Sequence, residues 1–188
     1  MQGVIYKSIE DLVTSAHGAE AWATILRKAG VDDPTFVGMS RYPDELAGRI
    51  IGAASGVLGV PAEDIMRAFG RHWTNHTAPT YYGDLMAFAG TSFIEVVSNL
   101  DQMHARISLV FPNYKSPSFR CETLGEGKLR LHYRSERQGL GPVVEGMLVC
   151  LGDRFSLDVE VVQEKARTDG HDHDQFIVTY KARAGAPG

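Results

Sequence analysis

Three hydrogen-bond donors stand at alternate positions near the end of the stretch KLRLHYRSERQGL, Lys128 to Leu140. In an extended chain Leu129, Leu131, Tyr133, Ser135 and Arg137 share one face, while Lys128, Arg130, His132, Arg134 and Glu136 share the other. The second row is the wet one. The first begins apolar and continues as a phenol, a hydroxyl and a guanidinium, with no acidic side chain on the same face. Such a row is either a strand end leaving the core or a cradle for a carboxylate or phosphate, since a bidentate guanidinium between two hydroxyls suits either oxyanion.

A second anomaly lies upstream. Phe93, Val97, Leu100, His104, Ile107 and Phe111 recur at helical steps in the segment from Thr91 to Pro112, which places an imidazole inside an apolar stripe. A histidine there is either a core residue bonded to a carbonyl or an axial ligand. One neutral imidazole in a dry wall holds a haem iron from one side and leaves the opposite position to a diatomic gas. Haem carries both a metal that takes one imidazole and two propionates that take donors, so one ligand answers both anomalies.

The remaining candidates read as weaker. GHDHDQ offers His171, Asp172, His173 and Asp174 to a metal, but adjacent ligands without a distant partner make a poor site, and a solvated loop between strands is the better reading. His72 and His76 stand four apart and share a helix face, with no third ligand evident near them in the sequence. No phosphate-cradling glycine loop, dinucleotide fingerprint or nucleophile elbow is written in the chain. Cys121 and Cys150 show no CxxC spacing and read as reduced residues of a core or strand.

The elements that must position these groups change character along the chain. Helical stretches punctuated by Gly18, Gly30, Pro61 and the proline-started segment PAEDIMRAFGRHW fill the first part. SFRCETL and KLRLHYRSE around GEG then predict a β-hairpin, GPVVEGMLVCLGDRF a helix, and LDVEVVQEK and QFIVTYKAR two further strands around a polar loop. The fold class is α+β: a helical N-terminal lobe packed on a C-terminal lobe with an antiparallel sheet, and the ligand between them. At 188 residues, 44% of them apolar, one domain over 1–188 is expected, with the helical lobe over about 1–90, the histidine helix over about 91–111 and the sheet lobe over about 112–183. A net charge of −4 with no basic block argues against nucleic acid, and no apolar run of spanning length argues against a membrane, so a cytoplasmic protein is expected.

Tyr133, Ser135 and Arg137 form a Tyr-x-Ser-x-Arg element downstream of a helical histidine, and this combination resembles the haem nitric oxide/oxygen-binding (H-NOX) family, bacterial relatives of the soluble guanylate cyclase sensor domain. The similarity runs from MQGVIY to FIVTYK. It implies a haem b (iron protoporphyrin IX) with His104 as proximal ligand, Tyr133, Ser135 and Arg137 on the propionates, and Ile5 and Pro117 packed against the porphyrin. It also implies a non-catalytic sensor whose partner is a histidine kinase or a cyclic-di-GMP enzyme. The tyrosine with which the oxygen-binding branch holds oxygen falls on Pro142, which has no donor, and its supporting positions fall near Ile9 and Trp73, with Tyr81 and Tyr82 as further candidates to face inward. Nitric oxide is therefore the expected gas, with carbon monoxide a second ligand and oxygen weak or absent, and rupture of the iron–His104 bond is the expected switch. The alternative is a haem-free module of related fold that binds a small organic acid through Tyr133 and Arg137.

Overall fold

Gly18 bends the first helix instead of ending it. In this computed structural model, which describes residues 1–31, 35–110 and 115–184, α1 (Gly3–Lys28) runs through Gly18, whose φ of 82° and ψ of 165° interrupt the helical geometry. Glycine takes that left-handed φ without steric cost, so the expected stop is a kink between two helical pieces. α2 (Asp44–Leu58) stops before Pro61, as expected, closing on a left-handed Gly59, and α3 (Ala62–His72) follows Pro61, which is the cap and not a first-turn residue. From Trp73 to Ala87, where the apolar spacing assigns no element, the chain stays helical: a π-helical turn at Trp73–Thr77 leads into α4 (Ala78–Ala87).

The single helix expected over 91–111 is two. α5 (Phe93–Ser98) and α6 (Leu100–Val110) part at Asn99, whose side-chain amide donates to the Ala89 carbonyl at 2.8 Å. An asparagine that bonds a distant backbone carbonyl competes with helix continuity. Phe111 and Pro112, the expected end of the stripe, lie outside the described residues.

The sheet is antiparallel throughout in the order β1-β2-β4-β3, with β1 (Ser118–Gly125) and β2 (Lys128–Arg134) joined by the expected glycine turn. β3 (Leu157–Lys165) and β4 (Asp174–Ala182) complete it, and α7 (Gly141–Arg154) covers one face. β2 ends at Arg134, so the alternation that buries Leu129, Leu131 and Tyr133 stops there, and Ser135 and Arg137 stand in the bend that follows.

Two hydrophobic cores result, one around Tyr6, Ile25 and Ile50 and one around Leu129, Leu131 and Phe176. The architecture is the expected α+β arrangement of a helical lobe on a sheet lobe. α7 serves both cores: Val143 packs against the first, and Val144, Leu148 and Leu151 belong to the second. The lobes meet where α3 crosses α7. A Cβ on Gly70 would stand 2.2 Å from the Val143 carbonyl oxygen, and one on Gly146 would stand 2.1 Å from that of Arg67. Both obstacles are backbone, so neither can swing aside.

Gly70→Ala and Gly146→Ala are each expected to destabilise the protein by about 2 kcal/mol or more through overpacking. The double variant is expected to cost less than the sum, because both act on one contact. Urea unfolding midpoints check this.

Candidate functional site

The helical and sheet lobes leave between them a cavity of about 230 Å³. Native interiors rarely leave a void much larger than a water molecule, so this is a binding space and not a packing defect. Its walls come from α1, α3, the π-turn, α4, α5, α6, β1, β2 and α7, and are mostly apolar, with Phe69, Val96, Ile107, Val144, Met147 and Leu148 among them.

His104 stands in the α6 wall. Its Nδ1 lies 2.8 Å from the Leu100 carbonyl oxygen one turn back. A carbonyl only accepts, so Nδ1 carries the proton and Nε2 keeps its lone pair. Among the described residues Nε2 meets no hydrogen-bond partner. Burial pushes the imidazole pKa down, against the weaker opposing pull of the Leu100 bond and Asp101, which keeps the ring neutral and able to ligate a metal. The ring packs against Phe119 at 5.2 Å between centroids, and Phe119 packs in turn against Tyr133 at 5.1 Å.

α6 is pinned at both ends. The Phe119 amide donates to Asp101 at 2.9 Å near its start, and Ser108 shares a 2.7 Å hydroxyl bond with Ser116 near its end. Ser116 holds the segment that brings Pro117 to the cavity wall.

Tyr133, Ser135 and Arg137 also line the cavity. Burial raises the Tyr133 pKa, so the phenol stays protonated and is a donor. Ser135 Oγ accepts the Arg137 amide at 3.1 Å, and the Arg167 guanidinium donates to the Ser135 carbonyl, which together shape the bend. The expected absence of an acid near Arg137 holds along the strand but not in space. Asp44, at the start of α2, accepts from Arg137 Nε at 2.9 Å and also from the terminal amine of Met1. Burial works to raise the Asp44 pKa, but its bonds to these two cations outweigh that and hold the carboxyl below its usual value.

Ile5, Pro117 and Trp73 line the cavity, as does Tyr82. Ile9 and Pro142 do not: Ile9 sits 2% exposed in the helical core one turn beyond Ile5, and Pro142 occupies the first turn of α7, which presents Val143 and Val144 to the cavity instead. Tyr81 is exposed. Arg41 and Lys115 also line the cavity, and no alternation or helical spacing marked them out, because each lies in a connecting segment.

Three residues of the 171–174 stretch tie the start of β4 to β2, β3 and the preceding turn. Asp174 is buried and accepts from Gln163 at 2.9 Å and from the Arg167 amide at 2.8 Å, while His173 bonds His132 at 2.8 Å and Asp172 pairs with Arg134. Both cysteines are free. Among the described residues no helix is long and apolar enough to cross a membrane.

An apolar slot with one neutral imidazole in its wall and a cluster of hydroxyls and cations at one edge fits a flat iron porphyrin bearing two carboxylates. The family model described as haem-NO-binding matches residues 2–163. The chain belongs to that family. Haem is the family's cofactor, and H-NOX proteins are haem-based sensor domains.

Two soluble guanylate cyclases of Caenorhabditis elegans, gcy-37 and gcy-35, are 32% and 30% identical over 95% and 96% of the chain. The chain spans about a quarter of their length, 26% in each case. In fold it is similar to the H-NOX protein of S. oneidensis in its Fe(II)NO state, with a TM-score of 0.86 at 22% identity over 96% of this chain and 99% of that one. The unliganded Fe(II) H-NOX protein of K. algicida gives 0.83 at 19% identity, with both chains fully covered.

Asp44→Asn is expected to lower stability by about 1 kcal/mol, the scale of a partly exposed ion pair, since Asp44 is 46% and Arg137 22% exposed. The loss shrinks as salt is raised, and urea midpoints at low and high ionic strength measure it.

Proposed function

We propose that this H-NOX chain is a haem-based nitric oxide sensor in which His104 is the axial ligand and Tyr133, Ser135 and Arg137 hold the propionates. One observation carries the reading: an imidazole with Nδ1 committed to the Leu100 carbonyl stands in the wall of an apolar cavity that those three donors also line. The carbonyl makes Nε2 the more basic nitrogen and fixes the ring, as outer partners of ligating histidines do. Arg137 would exchange or share its Asp44 carboxylate with a propionate. Ile5 and Pro117 would pack on opposite lobes against the ring.

Bound haem would supply an iron site for a diatomic gas, and His104 would hold that iron from the α6 wall and so tie the helix to the cofactor. α6 is a separate short helix, cut from α5 at Asn99 and fixed to the sheet lobe through Asp101 and Ser116, so loss of the His104 tie on nitric oxide binding would change how the sheet lobe seats against the helical one. A partner that reads this seating, of the histidine kinase or cyclic-di-GMP enzyme class, would receive the signal. In the guanylate cyclases the matching region is a minor part of a longer chain, which supports a sensing role with the output elsewhere.

Discrimination against oxygen follows from the donors facing the cavity. Bound oxygen draws charge from iron and gains about 1.5–3 kcal/mol from a charge-assisted hydrogen bond, about ten- to a hundredfold in affinity, which nitric oxide does not need. α7 presents Val143, Val144, Met147 and Leu148 there, and the Thr74 hydroxyl donates to the Gly70 carbonyl at 3.0 Å. Tyr82 is the phenol on this wall, so its contribution decides the point.

The haem-free acid-binding reading has less support. Arg137 already meets a carboxylate in Asp44, and the family's cofactor is haem.

Absorption spectra of the dithionite-reduced, anaerobic protein test the proposal. A five-coordinate ferrous Soret band is expected, shifting with nitric oxide and forming no stable complex in air. His104→Gly is expected to lose the haem or leave it unligated until free imidazole is added. A colourless protein that takes up no haem sinks the reading in favour of the acid-binding module.

Tyr82→Phe is expected to leave the nitric oxide spectrum and the absence of an oxygen complex unchanged. An oxygen complex in the wild type that Tyr82→Phe abolishes would overturn the oxygen argument and make the phenol the distal donor.

A further inference from the structure

His72 stands in the last turn of α3, its side chain only 10% exposed, with Nε2 2.9 Å from Asp11 Oδ2 of α1. That nitrogen is fully buried, and Asp11 is its partner. The spacing suits a hydrogen-bonded His–Asp pair, and it also comes close to that of two ligands on one ion. Two ligands each about 2.1 Å from one ion stand about 3.4 Å apart at the tetrahedral angle, so a zinc-class ion would need this pair to open by about half an ångström.

A third donor is at hand. The His76 ring stacks on that of His72 at 4.8 Å between centroids and 30° between planes, as residues four apart on a helical run allow. The crossing that sets this geometry is held one turn away, where Ser8 and Thr77 share a buried 2.7 Å hydroxyl bond.

We propose that Asp11, His72 and His76 form a binding site for a divalent transition-metal ion of the zinc class, separate from the haem cavity. Two imidazoles and a carboxylate are the three protein ligands of a tetrahedral zinc whose fourth position takes water, and imidazole favours zinc, nickel and copper over calcium or magnesium. Among the described residues no three such groups already converge on one point, so His76 completes the set by turning its exposed ring toward the His72–Asp11 pair. Bound metal would clamp α1 to the turn that carries Trp73 and Thr74 to the cavity wall.

Zinc chloride alone, titrated calorimetrically into the untagged full chain after chelator treatment, tests the site. One equivalent is expected to bind, and the melting temperature is expected to rise with excess zinc. Asp11→Asn and His76→Ala, both at exposed side chains, are each expected to weaken binding by more than about tenfold and to remove the thermal shift. His132→Ala, which breaks the other histidine pair, is expected to change neither. Absence of zinc uptake, uptake that survives either Asp11→Asn or His76→Ala, or uptake lost in His132→Ala would each overturn the proposal.

Discussion

Backbone touches backbone where α3 crosses α7, and the rest of the molecule is arranged around that contact. Gly70 and Gly146 let the two helices approach until a single methyl group on either would collide with a carbonyl oxygen. With the lobes locked along this line, their remaining boundary stays apart and encloses the cavity. Phe69 beside Gly70, and Met147 beside Gly146, lie on its wall. A tight contact and an open space are thus two parts of one design: α7 gives Val143 to the helical core and Val144 to the sheet core, so the same helix divides the cores and floors the slot between them. Any motion of one lobe against the other must turn about this contact, because it is the place where neither side can yield.

Within the slot a single polar commitment sets the chemistry. The Leu100 carbonyl takes the proton of His104 Nδ1, and burial disfavours the charged ring, so both effects leave a neutral imidazole with one lone pair toward the cavity. A core histidine and a metal ligand make the same first hydrogen bond. What separates them is the other nitrogen, which a core residue buries against a partner or apolar carbon, and which here borders a cavity built from two lobes.

Much of this was legible in residue order. Alternation in β2 placed Leu129, Leu131 and Tyr133 inward, glycine and proline marked the helix ends, and the strand patterns gave the antiparallel sheet. The departures have local causes that a pattern of apolar spacing does not carry. Gly18 kinks because nothing around it forces the chain to turn back, and Asn99 cuts a helix because its amide finds a carbonyl ten residues earlier. The distal assignments illustrate a sharper limit. Ile9 is one turn from a cavity neighbour, Ile5, and Pro142 one residue from another, Val143; one turn carries a side chain about 5.4 Å along a helix, and one residue turns it by about 100°. Asp44 was beyond reach for another reason: it meets Arg137 across 93 positions of sequence, and only the packing of the lobes brings them together.

That last pairing decides how the charged edge of the cavity behaves. Arg41, Lys115, Arg137 and the terminal amine stand along it, against Asp44 and Glu136, so the edge remains net positive after the ion pairs at Arg137 and Lys115 are counted. A dicarboxylate cofactor entering there need not break Asp44 from Arg137 to be neutralised; it can draw on the cations that the two acids leave over. Asp44 belongs to the helical lobe and Arg137 to the bend after β2, so the pair is also a strap between the lobes. A charge arriving at Arg137 weakens the strap, and one leaving strengthens it. In the proposed sensor the seating of the lobes would then be set from two sides: by His104, through what it binds, and by Arg137, through how it divides itself between an internal carboxylate and an external one.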